Sequence, residues 1–186
     1  MKALNALAHP IIVFLLCIPL MQLSVLLPSA LIVFVSFACW ALYFLLGASL
    51  KTGLWGGLCF ILGELFAIAI IVMFLATPGL GTWSLTIAVG LWAGLIILLA
   101  EQVKPIASVP AYFIGAGLYF AAYFYWWPTT KPANPQDYVM PLVLVAFSMA
   151  VGFCLGWVTI WLYGLWGSYS KKLSEPQAAK KPAPTA

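Results

Sequence analysis

The sequence predicts an all-α polytopic membrane protein, a bundle of six transmembrane helices. Three observations lead there. Apolar residues make up 65% of the chain and charged residues 6%, against roughly a half and a quarter in soluble domains. The apolar residues gather into runs of bilayer length. The breaks between runs carry the Pro, Gly and Lys residues that end spans. At about 20 residues per crossing, a chain of 186 residues holds six spans and no separate soluble domain. Residues 1–170 therefore read as one transmembrane domain, and 171–186 as a disordered basic Ala/Pro/Lys tail too polar to fold.

Between His9 and Lys51 no residue is charged. As one helix this stretch would run about 60 Å, twice the hydrocarbon thickness, so it holds two spans. Pro28-Ser29 is the break, because Pro disfavours helix in the residue before it and Ser caps the helix that follows. Helix 1 is expected over 10–27 and helix 2 over 30–47. Helix 3 runs over 53–77 and stops at Thr77-Pro78-Gly79, a turn signal. Helix 4 follows over 81–100. The polar stretch Glu101 to Pro105 makes a loop, and Ser108-Val109-Pro110 opens helix 5 over 108–127. Residues 128–137 are too polar for lipid, and helix 6 is expected over 138–166.

Lysine placement orients the bundle, since cytoplasmic loops carry the excess of Lys and Arg. The chain has no Arg. With both termini in the cytoplasm, Lys2, Lys51, Lys104 and the four tail lysines all lie inside and Lys131 alone lies outside. Merging helices 1 and 2 would export most of them. An uncleaved N-terminus belongs to this reading, because Pro28-Ser29-Ala30 is a poor cleavage site and the apolar run is too long for a signal peptide. The net charge of +4 faces lipid headgroups rather than nucleic acid, as no basic cluster is interleaved with aromatics.

Glu64 is the residue that demands an explanation. It lies at the middle of helix 3, where an ionised carboxylate is far from water, and an ionisable residue there is a functional candidate by default. No Lys shares its depth. Three states are open to it: protonated and hydrogen-bonded, ionised in a water-filled cavity, or ionised and paired with a bound cation. The first makes it a structural residue, the others a proton or cation site. Gly53 with Gly57, and Gly63 with Ala67, put small residues on its helix and turn it toward the bundle interior. Gly90 with Gly94 and Gly152 with Gly156 repeat the spacing, and such faces also suit a homo-oligomer.

Helix 5 carries Tyr112, Tyr119, Tyr123 and Trp126 within a narrow arc at about 100° per residue. Packing and an interfacial aromatic belt explain such a stripe, and so does a pathway lining. Tyr119, Ser36 and Ser148 stand at mid-membrane depth as candidate partners of Glu64, and Cys39 with them; Tyr112 and Tyr123 are candidate lining. His9 reads as an interfacial residue. The four cysteines sit singly in apolar runs without metal-ligand spacing. No nucleophile and base pair, metal cluster or phosphate-binding loop is present, so neither an enzyme nor a cofactor is expected.

The segment from Val33 to Gly47, with the Gly-rich helix after it, resembles the YcdZ-like family of small bacterial inner-membrane proteins, a domain of unknown function numbered 1097. Pro105 to Gly115 is similar to that family's segment before its fifth helix. The resemblance implies a bacterial inner-membrane location and brings no activity. Two functions remain: a small-solute or cation- or proton-linked transporter or channel using Glu64, or a non-catalytic accessory or scaffold packing on a larger membrane partner. An inverted repeat between helices 1–3 and 4–6 would favour transport, and none is evident in the sequence.

Overall fold

The computed structural model describes residues 2–126 and 137–174. Of the expected outer loop only Asp137 falls within them, and the tail beyond Ser174 lies outside. The described chain is all-α, with no strand. It forms α1 (Lys2–Leu26), α2 (Val33–Leu45), α3 (Leu50–Ala76), α4 (Trp83–Gln102), α5 (Val109–Ala121) and α6 (Val139–Ser174). Short 3-10 turns precede α4 and α5, and a π-turn (Ala122–Trp126) follows α5.

The boundaries depart from expectation for identifiable reasons. α1 begins at Lys2 because Ala3 to Ala8 are mostly strong helix formers, and it continues through Pro10 and Pro19. In lipid, ending a helix would bare more backbone groups than one Pro removes. α2 is short because its first turn is served from outside: the Ile32 amide donates to Ser148 Oγ at 2.9 Å. The chain then reverses through Gly47 and Ala48, both at positive φ. α6 runs on to Ser174, across the first residues of the expected tail, since neither Gly164 nor Gly167 takes the left-handed conformation that would cap it. The π-turn breaks the 100° register of the helix 5 stripe after Ala121.

Four helices, α1, α3, α4 and α6, are long and apolar enough to cross a membrane, while α2 and α5 are shorter apolar helices. Apolar side chains also face outward: Val25 is 71% exposed, Leu26 74% and Leu45 76%. Water does not tolerate such a surface continuously around a monomer, whereas lipid does. The chain is a membrane protein.

The packing is two three-helix halves laid out alike. α2 lies along α6 as α5 lies along α3; α1 rests on α6 as α4 rests on α3; and α3 meets α6 between them. The sequence positions keep step. α2 and α5 each have 13 residues and both their ends are 76 positions apart (33 to 109, 45 to 121). The ends of α1 and α4 keep that offset (26 to 102), and α3 and α6 begin 89 apart (50 to 139).

Contacts repeat at the same offsets. A β-carbon on Gly63 would collide with the Tyr112 carbonyl, and one on the equivalent Gly152 with that of Ser36. Ser148 Oγ accepts from the Ile32 amide, and its counterpart Cys59 has the Ser108 backbone within reach. Tyr43 packs on Gly156; Tyr119 clusters with Ala67. Leu42-Tyr43-Phe44 recurs as Leu118-Tyr119-Phe120. The absence of an internal repeat is thus corrected.

Candidate functional site

Glu64 owes its place to the small residues around it. Ser49 caps α3 by accepting from the Thr52 amide at 3.2 Å, and the helix then runs unbroken to Ala76. One face carries Gly53, Gly56, Gly57, Gly63 and Ala67, all buried. At Gly63 the backbone of α5 passes so close that only hydrogen fits, and Gly115 returns the contact by admitting the Phe60 carbonyl. Glu64, next to that crossing, is 0% exposed.

Among the described residues, neither carboxyl oxygen of Glu64 has a hydrogen-bond partner. Cys39 on α2 and Tyr119 on α5 are near enough to feel its charge. Tyr119 spends its hydroxyl elsewhere, donating to the Tyr138 carbonyl at 2.9 Å. Lys51 and Lys104 lie away from it, lining a separate crevice with Thr52, Trp55 and Ser108. Nearly all buried polar groups in proteins are hydrogen-bonded. A bare ionised carboxylate costs several kcal/mol to bury.

The expected partners divide. Ser36 and Ser148 do not meet Glu64: Ser36 Oγ donates to the Ser148 carbonyl at 2.9 Å, and Ser148 Oγ donates to the Leu144 carbonyl at 2.7 Å while accepting from Ile32. Both hold the α2–α6 seam, satisfying backbone groups that lipid cannot. Tyr112 is fully buried, beside the Cys59 thiol and with its ring 6.1 Å from Phe66. Tyr119, Tyr123 and Tyr138 form a continuous stack, with ring separations of 6.0 and 5.9 Å. The stripe therefore splits, Tyr119 and Tyr123 stacking with Tyr138 and Tyr112 serving the interior seam. His9 meets Phe44 and Tyr163 edge-on at 6.1 and 5.7 Å, joining α1, α2 and α6.

A second set of residues escaped sequence reasoning. Tyr43, Phe153 and Trp157 line a crevice of about 660 Å³ between α2, α3 and α6, and Phe153 occupies the position equivalent to Glu64 (64 to 153). Its ring stands 5.8 Å from Tyr43, as Glu64 stands beside Tyr119. The signal for this was the repeated Leu-Tyr-Phe, which aligns Tyr43 with Tyr119.

A family model described as a protein of unknown function, DUF1097, matches residues 6–164. The chain belongs to the DUF1097 family. The match spans α2 to α5 and most of α1 and α6, so the paired positions of the repeat and Glu64 fall inside the DUF1097 unit. No curated protein and no solved structure matches the chain.

Proposed function

We propose that this DUF1097 protein is a bacterial inner-membrane transporter of six spans, with both termini in the cytoplasm, that moves a proton or small monovalent cation by way of Glu64. The observation that carries the reading is the fully buried carboxyl with two unpartnered oxygens. An acid kept for structure alone would be hydrogen-bonded across the seam, as Ser36 and Ser148 are. One acid with no fixed positive partner has charge for a single monovalent cation.

Two further features support it. Three helices per half make the repeat inverted in a bilayer, the plan of many secondary transporters, whose sites lie near the midplane where the halves meet. The tyrosine stack between Glu64 and Asp137 suits an outer gate. Among the described residues nothing lies within 4 Å of the β-positions of Gly90 and Gly94 on α4, which leaves room there for a second copy.

The test is proton and cation flux in vesicles reconstituted with wild type and Glu64→Gln. Wild type should dissipate an imposed gradient and the variant should not, with its unfolding midpoint unchanged. Equal flux from both removes Glu64 from the mechanism. No flux from wild type across a broad panel of small solutes favours the accessory or scaffold reading.

A further inference from the structure

The crevice that holds Lys51 and Lys104 lies where the start of α3 meets the turn between α4 and α5. It encloses about 770 Å³, with Thr52, Trp55 and Ser108 also on its walls. Among the described residues no acid lines it. α3 has 27 residues, or about 40 Å at 1.5 Å per residue, the thickness of a bilayer with its headgroup layers. Its first turn, which carries Lys51, therefore stands at headgroup level. Trp55 follows one turn deeper and is 42% exposed, at the interfacial depth where Trp settles.

The packing repeat indicates that the fold did not call for these lysines. At the offsets of 89 and 76 the counterparts of Lys51 and Lys104 are Met140 and Pro28, so the matching positions of the other half do without charge. Orientation in the membrane asks for lysines on one face. It does not ask two of them, from turns 53 positions apart (51 to 104), to open into one crevice. Like charges placed together repel until a counter-charge joins them. The surroundings add to that demand. α3 and α5 both begin here, and their first turns bring positive partial charge. Ser108 stands at the N-cap of α5 without capping it through its side chain, which leaves the hydroxyl free to donate into the crevice.

We propose that this crevice binds the headgroup of an anionic glycerophospholipid, its phosphate held by Lys51 and Lys104 with the Ser108 hydroxyl. The rest of the lining selects a lipid over a soluble phosphate compound. Leu46, Trp55, Gly56, Pro105 and Ala107 are apolar and offer a sugar or a base few polar partners, whereas they suit a glycerol backbone and the first acyl carbons. A lipid also brings its phosphate to this level without leaving the bilayer, and basic pockets between transmembrane helices are a known setting for such headgroups. The site is separate from Glu64 and stands whether or not that residue serves transport.

Native mass spectrometry of the full-length protein, stripped of lipid in detergent and titrated with phosphatidylglycerol or with phosphatidylcholine of the same chains, tests this. Wild type should bind the first phosphatidylglycerol at least tenfold more tightly than phosphatidylcholine. Lys51→Gln and Lys104→Gln should each weaken it several-fold, in keeping with the share of one lysine at an anionic surface. Together they should abolish the preference, with the unfolding midpoint unchanged. Lys51→Arg with Lys104→Arg keeps both charges and should keep the preference. Lys180→Gln with Lys181→Gln removes the same charge from the tail and should change nothing. Equal binding of the two lipids by wild type overturns the proposal. So does an equal loss in the crevice pair and the tail pair, which marks attraction to net charge without a site. Inorganic phosphate or glycerol 3-phosphate that binds as tightly as the lipid assigns the crevice to a soluble phosphate and overturns the lipid occupant.

Discussion

Replacing Gly63 with Ala tests the crossing that seats Glu64. The new β-carbon would fall inside the van der Waals envelope of the Tyr112 carbonyl, a backbone atom that cannot swing aside. The two helices must part by about 1 Å, and a gap of that size forfeits about half of each contact's dispersion energy. With roughly 30 atom pairs along the seam at about 0.15 kcal/mol each, the loss is about 2 kcal/mol. Removing a helical Gly returns about 0.5–1 kcal/mol, so the net destabilisation is about 1–1.5 kcal/mol. Gly90→Ala is the control, since nothing lies within 4 Å of its β-position; it should be neutral or mildly stabilising. Equilibrium unfolding in mixed micelles, followed by tryptophan fluorescence, measures both. Gly152→Ala should match Gly63→Ala, because it meets the Ser36 carbonyl in the same way. Gly63→Ala with Gly115→Ala should cost less than the sum, as the first separation makes room for the second. If Gly63→Ala proves as stable as Gly90→Ala, the close crossing is refuted, and with it the seating of Glu64.

Ser148→Ala strands the Ile32 amide and should destabilise by about 1–2 kcal/mol in the same assay. Ser148→Cys should stay near wild type, because a cysteine, Cys59, stands at the equivalent position of the other half with the Ser108 backbone beside it. Tyr119→Phe loses the hydrogen bond to the Tyr138 carbonyl; about 0.6–1.7 kcal/mol is expected, and no change would show that this bond does not hold α5 to α6. Topology reporters after Lys104 and after Lys181 should score cytoplasmic, and one within 128–137 external. An external C-terminus removes the six-span arrangement.

Much of the helix inventory was legible because lipid imposes a simple rule: apolar runs long enough to span, ended by Lys, Pro and turn residues. That rule located all six helices to within a few residues at most ends. It could not show that α1 continues through Pro10, since a Pro signals a break only where water offers the freed carbonyl an alternative. Nor could it foresee the π-turn after Ala121. The repeat was hidden for two reasons. The longer connection before α6 splits the register into two offsets, 76 and 89. A bilayer also asks only that residues be apolar, so identity drifts while packing persists. Glu64 was legible as a lone acid at mid-membrane depth. Its neighbours were legible only in part, because depth along a helix says nothing of azimuth: Cys39 and Tyr119 come near it, while Ser36 and Ser148 hold the α2–α6 seam.

What the two halves share and where they differ are both informative. Gly63 with Gly152, Tyr43 with Tyr119 and Cys59 with Ser148 perform matched packing tasks, and the need for a close helix crossing accounts for them. Glu64 opposite Phe153 has no such account. Apolar residues satisfy the site in one half, so the fold did not require an acid in the other. An unpartnered carboxyl, moreover, lowers stability relative to the Phe its counterpart uses. The repeat thus keeps its packing and departs from it at one buried acid, and under the transport reading proposed above that acid is the group whose charge would change as the halves exchange conformation.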